Sequence, residues 1–563
     1  MLQTPVGIVE KFTPKVIRGW IHDPDGAPNP TVSILLNGRK VAHTTACAPV
    51  NFNGTIRNIG FARRLCQLWN YVGPKDEIQV ECLGVTLPIA QYGLSFVDTT
   101  AKKSRADELF RKLDKGYVFN KYGILNLSIQ RDQAWQKGIT ELFWELQRKL
   151  KERFDVDLQV TYGTMLGAVR DKNFIGHDND FDTCYISKFR SARRVRRQFL
   201  KICDFLIDEG YKVLVKKTHT WVMIPGTEFK MDIFYSWFHA NDEFEASYGY
   251  HGPALKRKPE LFQMREVQLG NFVVHAPVAA EDMLAHFYGT EWRTPDPGFS
   301  HHGPTRKQTL RYLIPRRQVN RLFWRQFYRD HPTGAESPFA QFVAARLQPG
   351  TLIFECGSGN GRDALFFAAR GFQVVASEAC KEGVEQARKA AAARGLEKAC
   401  KLRRVDVGKE AELRKFFAHP RMAWSREKGR PVALYLRFVL HNISLAEEAT
   451  LLRIAAEVLP PGSSIYLEFK THADKSRAAR KAYRNRFRRF LDPQKVARRM
   501  REDYGLTLEM KAVAKGWSPY KGTDPELCRM IAVTKKSAQP AADASKAAAK
   551  SGLVAKLRGL FGG

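Results

Sequence analysis

With 563 residues and 44% hydrophobic composition, the chain is too long for one core and too apolar for a disordered polymer, so three domains are expected. No apolar run reaches the roughly 18 residues that span a bilayer, and the start, Met1-Leu-Gln-Thr-Pro-Val-Gly7, lacks the basic and apolar regions of a secretory signal. Nine cysteines without a Cys-x-x-Cys pair argue against a disulfide framework or a zinc site and point to the cytosol. The net charge of +33 is uneven: residues 1–100 carry 9 Lys+Arg against 7 Asp+Glu, 101–330 carry 39 against 28, and the remainder 43 against 23. Partners of the last two thirds should be anionic: nucleotides, phosphorylated glycans, an acidic membrane surface or nucleic acid.

Residues 1–98 alternate in short runs such as Val32-Ser-Ile-Leu-Leu36 and Glu77-Ile-Gln-Val-Glu81, punctuated by Asp23-Pro-Asp-Gly26, Asn37-Gly38, Asn53-Gly54 and Gly73-Pro74. This predicts a small antiparallel β-sandwich. Arg18-Gly-Trp-Ile-His-Asp23 and Gly60-Phe61 resemble a β-domain that accompanies bacterial glycan-modifying enzymes. Trp20 is either a core residue or a sugar-stacking one, and no chemistry is assigned to this segment.

A second domain is expected over 126–330. Trp135, Ile139, Leu142, Phe143, Leu146 and Leu150 share one helical face, and the strand-like Leu158–Tyr162 follows. Gly163-Thr164 then reads as a turn that brings backbone close to a phosphate. Next come Arg170, to pair with phosphate or lock the turn, and the triplet Asp178, Asp180, Asp182. Asp180 and Asp182 flank Phe181, so on an extended strand both carboxylates face one way. They stay ionised cheaply only around a cation, and Mg²⁺ or Mn²⁺ takes such oxygen ligands together with substrate phosphates. Asp232, in Lys230-Met-Asp-Ile-Phe234, reads as lying on a neighbouring strand, where it completes the metal set or accepts a proton. Asp178 is assigned to the substrate. An isolated Asp-x-Asp is often a solvated turn, and the order of Gly-Thr turn, acidic triplet and later strand Asp favours catalysis over that. Residues 190–209 predict a helix whose Arg190, Arg193, Arg194, Arg196 and Arg197 form a solvated face or meet the anionic substrate.

Between Gln130 and Pro297 the pattern resembles the LicD family, the phosphocholine transferases related to fukutin and fukutin-related protein, within the nucleotidyltransferase superfamily. The resemblance rests on Gly163-Thr-Met-Leu-Gly-Ala-Val-Arg170, Phe174-Ile175 ahead of the acids, and Tyr288-Gly-Thr-Glu-Trp292. Where relatives tend to carry Trp or Tyr before the acids, this chain has Gly176-His177. The resemblance implies an α/β nucleotidyltransferase fold and transfer of a phosphocholine-like group from a CDP-activated donor.

After the connector His331–Pro338, a third domain is expected over 333–536. The apolar run Thr351-Leu-Ile-Phe-Glu355 leads into Gly357, Gly359 and Gly361, whose backbone can approach a ligand at a helix N-terminus. Val374-Val-Ala-Ser-Glu378 predicts a second strand ending in an acid 17 residues after Gly361, placed to accept ribose hydroxyls. Val405-Asp-Val407 predicts a third strand, with Asp406 on the adenine amine. Leu434–Leu440 predicts a fourth, delivering His441 as a candidate base or a structural histidine. Gly-Asn-Gly-Arg-Asp363, Arg437-Phe-Val-Leu-His441 and Asp524-Pro525 are similar to class I S-adenosylmethionine-dependent methyltransferases, in a bacterial subgroup that includes thiopurine- and tellurite-type enzymes. The fold implied is α/β and Rossmann-like, with S-adenosyl-L-methionine as cofactor. A nicotinamide-binding Rossmann domain is the rival reading of the glycines, and the acid ahead of the loop, Glu355, favours S-adenosylmethionine.

Between Lys470 and Arg501, 13 Lys+Arg face 2 acids, with Tyr483, Phe487 and Phe490 interleaved. This reads as a solvated helical insert, then as a surface for lipid headgroups or a phosphorylated glycan, and least as a nucleic-acid surface, for which no zinc knuckle or RNA motif is present. The tail, 537–563, is Ala- and Lys-rich and ends in Leu553–Phe561, an amphipathic stretch suited to an anionic membrane or to disorder.

The whole reads as a cytoplasmic bifunctional transferase, peripheral at the inner face of the membrane, acting on a cell-surface polysaccharide or lipid-linked glycan. An RNA-modifying enzyme is the rival, and a scaffold with one dead domain the third possibility.

Overall fold

The computed structural model describes residues 6–535 apart from 24–25, 27–28, 101–102, 179, 228, 297–298, 300–313, 475–486 and 520–522. The chain divides into two units, Met1–Gln318 and Val319–Gly563.

The first unit begins with two antiparallel sheets. One contains β1 (Val6–Phe12), β2 (Ile17–His22), β5 (Ala48–Phe52) and β6 (Thr55–Arg63), in the order β1-β2-β6-β5. The other contains β3 (Thr31–Leu36), β4 (Arg39–Thr45), β7 (Glu77–Cys82) and β8 (Val85–Thr86), ordered β4-β3-β7-β8, with β9 (Phe96–Val97) on β7. Asn37-Gly38 and Asn53-Gly54 take left-handed angles (φ 51° and 75°, 50° and 82°), the hairpin geometry their sequence demands. Val9, Ile21, Val32, Ile34, Phe61, Ile78 and Val80 fill the core. That core does not stop at residue 98: Leu109, in the helix Ala106–Asp114, and Phe119, in β10 (Tyr117–Phe119), belong to it, and β11 (Leu125–Leu127) pairs with β10. Trp20 is half-buried, its Nε1 donating to Glu10 Oε1 at 3.2 Å and its ring 5.0 Å from Phe52.

The next sheet is mixed. It holds β12 (Gln159–Val160), β13 (Phe181–Ser187), β14 (Lys212–Val215), β15 (His219–Met223), β16 (Lys230–Phe238) and β17 (Phe244–Ala246), ordered β12-β13-β16-β15-β14 with β17 on β16. Only β13 and β16 run parallel, with Asp182 directly beside Asp232. The helix Gln133–Phe154 is capped by Asp132, which accepts from the Trp135 amide, and it buries Ile139, Leu142, Phe143, Leu146 and Leu150. Ala192–Asp208 forms the second helix, with Arg193, Arg194 and Arg197 exposed. A hairpin of β18 (Met264–Leu269) and β19 (Phe272–Pro277) and the helix Ala280–Tyr288 follow.

One expectation fails here. Gly163-Thr164 is not a turn but the first turn of a short helix, Tyr162–Leu166, and the preceding strand is only Gln159–Val160. Tyr162 enters that helix at φ 41°, strained for a non-glycine residue.

The second unit is built on seven strands: β20 (Leu352–Cys356), β21 (Gln373–Glu378), β22 (Cys400–Arg404), β23 (Val432–Arg437), β24 (Ser464–Lys470), β25 (Thr507–Ala514) and β26 (Leu527–Val533). Their order is β22-β21-β20-β23-β24-β26-β25, the first five parallel and β26 antiparallel to both neighbours. Both faces are covered, as a parallel sheet requires: Leu352, Phe354, Leu434 and Leu436 pack on one side, Ile353, Ala433 and Tyr435 on the other. Strand order reverses between β20 and β23, which opens a crevice at their carboxyl ends.

Two strand expectations need correction. The third strand is Cys400–Arg404, and Val405–Val407 lies beyond it in a loop. This is an edge strand whose Lys401, Arg403 and Arg404 disguise its period, whereas the apolar pair after it mimics one. The fourth strand ends at Arg437 rather than Leu440, because Phe438 turns to φ 58° and a 3₁₀ turn, Leu440–Asn442, follows. The helix Arg316–Asp330, expected to close the second domain, lies mostly within the second unit. No helix among the described residues is long and apolar enough to cross a membrane.

Candidate functional site

In the first unit, Asp178, Asp180 and Asp182 offer carboxylate oxygens that all lie within 4.8 Å of one another. Asp182 is the second residue of β13, and Asp180 stands just ahead of the strand. Thr164 in the short helix fixes this edge: the Asp182 amide donates to Thr164 Oγ1 at 2.8 Å. Gly163 makes room for it, since a Cβ there would stand 2.3 Å from Asp178 Oδ2. Asp232 lies outside this trio, with Lys230 Nζ 3.8 Å from its Oδ1 and His219 Nε2 3.9 Å from its Oδ2. Lys121 closes the cluster from the β10–β11 turn, 3.5 Å from Asp178 and 3.6 Å from Asp180.

The electrostatics are those of a site short of positive charge. Burial, then the charges of Asp180, Asp232 and Asp178, push the Asp182 carboxyl well above its usual range. Burial also raises Asp232, to about 7, with Lys230 opposing and Asp180 adding. Burial pushes Asp180 up too, but Lys121 and a hydrogen bond with Asp178 outweigh it and hold it low. Lys121 is raised above the ordinary lysine range, burial being outweighed by Asp178, Asp180 and Asp182. Asp180 Oδ1 is buried with no hydrogen-bond partner among the described residues. Three converging carboxylates, one orphaned oxygen and a cradle that a Cβ would fill suit a hard divalent cation. Burial, then Asp182 and Asp178, push the Tyr288 phenol well up, so it stands beside them as a neutral wall.

Arg170 does not join the trio. Its Nε and a terminal nitrogen bind Asp171 at 2.7 and 2.9 Å, the geometry of a lock on the turn.

In the second unit, Gly357, Gly359 and Gly361 all take left-handed angles (φ 73°, 59° and 81°), and Gly361 caps the helix Arg362–Ala369. The Gly357 and Ser358 amides donate to Ser377 O at 2.7 and 2.9 Å, tying the loop to β21. Glu355, at the end of β20, is buried, and its Oε2 lacks a hydrogen-bond partner among the described residues. Burial, then the Asp363 charge, raise its pKa well above the carboxylate range. Glu378 ends β21 with both oxygens engaged: Oε1 accepts from the Cys380 amide at 2.9 Å, and Oε2 from the Gly359 amide at 3.1 Å and the Tyr328 hydroxyl at 3.4 Å. Asp406 Oδ1 accepts from the Gly408 amide at 3.1 Å, closing its own turn. His441 Nδ1 accepts from the Lys470 amide at 3.3 Å, so the neutral ring carries its proton on Nε2 and presents a donor, not a base.

Residues 130–279 match the family described as LicD/FKTN/FKRP, nucleotidyltransferase domain. The chain carries a LicD-family domain. No curated protein matches the chain. Among solved structures it is similar to a SAM-dependent methyltransferase from Methanosarcina mazei, with 15% identity and a TM-score of 0.28 over 35% of this chain and 98% of that one. It is also similar to one from Anabaena variabilis, with 13% identity and a TM-score of 0.31 over 39% and 96%. A third is the glycopeptide N-methyltransferase MtfA, with 17% identity and a TM-score of 0.27 over 36% and 96%.

Lys121 lies ahead of the matched LicD segment, in Asn120-Lys-Tyr-Gly123, which reads only as a turn. Its role had no sequence signal. Lys230 did have one, two residues before Asp232 on the same strand face, and His219 faces Phe234 on the adjacent strand. Two cations of the basic stretch are engaged inside the second unit: Arg489 and Arg499 both pair with the fully buried Glu448. Tyr483 and the tail 537–563 lie outside the described residues.

Proposed function

We propose that the LicD domain transfers a phospho-substituent, phosphocholine-like, from a CDP-activated donor to a sugar hydroxyl of a cell-surface or lipid-linked glycan. The convergence of Asp178, Asp180 and Asp182 beneath Gly163 carries the reading. In it, Asp180 and Asp182 hold Mg²⁺ or Mn²⁺ and Asp178 offers a third oxygen. The cation, when bound, screens the diphosphate charge and polarises the phosphorus being attacked. Lys121, already among the acids, adds positive charge where the donor diphosphate lies. Asp232, outside the trio with Lys230 3.8 Å and His219 3.9 Å from its oxygens, is the carboxylate left to accept the proton of the attacking hydroxyl. Tyr288 shields the acids from bulk water.

The second unit, in the same reading, binds S-adenosyl-L-methionine in the crevice between β20 and β23 and methylates the same or a related glycan. Its sheet order, with an antiparallel β26, supports this, as do the three left-handed glycines and the orphaned Glu355 oxygen. The transfer needs alignment of the methyl donor and acceptor more than a strong base, which suits the donor character of His441.

The test is release of CMP from CDP-choline and related donors by the full chain with Mg²⁺, in wild type, Asp180→Asn and Asp182→Asn. Loss of turnover in both variants, with S-adenosylmethionine binding intact, is expected. Undiminished Mg²⁺-dependent turnover in both would remove the assignment.

A further inference from the structure

Lys121 reaches the acid cluster from residues 99–125, between the sandwich expected over 1–98 and the domain expected over 126–330. The turn that carries it is built as part of the sandwich. Phe119, just ahead, is 2% exposed and belongs to the sandwich core, and Leu125, just after, packs against that core. Arg63 of β6 fixes the approach, its Nη2 donating to Phe119 O at 2.6 Å. Gln67 fixes the exit twice: its amide donates to Gly123 O at 2.9 Å, and its Oε1 accepts from the Leu125 amide at 2.8 Å.

The turn lies hard against the sandwich. Gly123 takes φ 74°, and a Cβ there would stand 2.4 Å from Cys66 N and 2.7 Å from Leu65 N. Asn120, itself buried, closes the turn from inside, its Oδ1 accepting from the Tyr122 and Ile124 amides at 2.9 and 3.1 Å. The backbone on both sides of Lys121 is therefore fixed, and its flexible side chain spans the rest of the way to Asp178 and Asp180. The sandwich is also tied to the chain beyond the helix Ala280–Tyr288: Thr45 Oγ1 of β4 donates to Pro295 O at 2.5 Å, and Asn29 Nδ2 to Thr294 Oγ1 at 3.4 Å.

An accessory module on a linker needs none of these ties. A lysine on a free loop would have to give up backbone and side-chain freedom together each time it met the acids. We propose that the sandwich is a working part of the phosphotransfer site: it sets the place of Lys121 beside Asp178 and Asp180, with Gln67 and Gly123 as positioning residues. The inference rests on the reading of those acids as a cation site and of Lys121 as the charge beside the donor diphosphate. It gives residues well ahead of the LicD segment a part in that chemistry without contact with the substrate.

The experiment follows two readouts on the full chain: the rise in thermal midpoint on adding Mg²⁺, and KM against kcat with CDP-choline and related donors. Gly123→Ala drives a methyl into the Cys66 and Leu65 backbone. Gln67→Met removes the acceptor for the Leu125 amide, and Gln67→Glu keeps it. Gly123→Ala and Gln67→Met should behave as Lys121→Ala does, with a larger Mg²⁺-induced rise than wild type and a KM about three- to tenfold higher at similar kcat. Gln67→Glu should restore wild-type values, and adding Gln67→Met to Lys121→Ala should change neither readout further. A purely structural lesion lowers the midpoint but leaves the Mg²⁺-induced rise as in wild type. That result in Gly123→Ala and Gln67→Met overturns the proposal, and so does an additive effect in the Lys121→Ala background. A wild-type rise in Lys121→Ala itself overturns it too, because the lysine would then have no part beside the cation. Should Gly123→Ala fail to fold, the Gln67 pair decides. Absence of turnover with every CDP donor removes the reading of the donor, and the Mg²⁺-induced rises then decide the positioning on their own.

Discussion

Gly163 and Asp178 approach so closely that a Cβ on the glycine would stand 2.3 Å from Asp178 Oδ2 and 3.7 Å from Asp182 Oδ2. Gly163 lies in a helix, so its value is the missing side chain rather than backbone freedom. Gly163→Ala should push Asp178 out of the trio while leaving the buried helix in place. Mg²⁺ binding should weaken at least about tenfold, equal to about 1.4 kcal/mol, with a thermal midpoint close to wild type. Calorimetry with Mg²⁺ reads this, and wild-type affinity in the variant would show that the cation sits elsewhere.

Lys121 makes a second, opposite prediction. It neutralises Asp178 and Asp180 in the metal-free protein, so Lys121→Ala leaves buried like charges facing one another. Without divalent cation the variant should melt below wild type. Adding Mg²⁺ should then raise its midpoint by more than it raises that of wild type, because a ligand that binds the folded state restores what the lysine supplied. Equal Mg²⁺-induced shifts in the two proteins would separate Lys121 from the cation site.

How far the sequence reached depends on the range of each interaction. The acids, glycines and major strands are local patterns, and they were legible: Asp182 and Asp232 do lie side by side on β13 and β16, and Gly357, Gly359 and Gly361 do follow β20 with left-handed angles. Lys121 was illegible because it enters from a turn 57 positions before Asp178. Tyr328 on Glu378, 50 positions apart, was hidden for the same reason. The third strand of the second unit misled because an edge position lets Lys401 and Arg403 replace apolar residues. The basic stretch misled differently, since composition cannot show that Arg489 and Arg499 turn inward onto Glu448.

Tyr328 stands where a ribose hydroxyl was expected, on Glu378 Oε2, with its oxygen 3.1 Å from the Cβ position of Gly359. If the ribose takes that place, the tyrosine hydroxyl must give way. Tyr328→Phe should therefore bind S-adenosylmethionine at least as tightly as wild type. Glu378→Gln should weaken binding by about 1–2 kcal/mol, because its amide nitrogen meets the Gly359 or Cys380 donor. Calorimetry on the full chain measures both. Weaker binding in Tyr328→Phe would mean that the hydroxyl contacts the cofactor instead of yielding to it.

His419 gives the acid limb of stability a sign and an address. It caps the helix Pro420–Glu427, its Nδ1 accepting from the Arg421 amide at 3.2 Å, which requires that nitrogen to be unprotonated. Burial first, then Arg403, Arg421 and Lys401, lower its pKa from 6.5 to about 4. Unfolded, the ring takes up a proton near pH 6.5; folded, it does so only near pH 4. The stability it contributes is therefore complete above about pH 6.5 and is lost as the pH falls toward 4. His177 (to about 4) and His219 (to about 3), both lowered mainly by burial, act in the same direction in the first unit. The thermal midpoint should fall between about pH 7 and pH 5, before most carboxylates titrate. His419→Asn keeps an oxygen to cap the Arg421 amide but cannot take up the proton, so the transition of the second unit should fall less steeply over that window. An unchanged slope in His419→Asn would assign the acid limb to other groups.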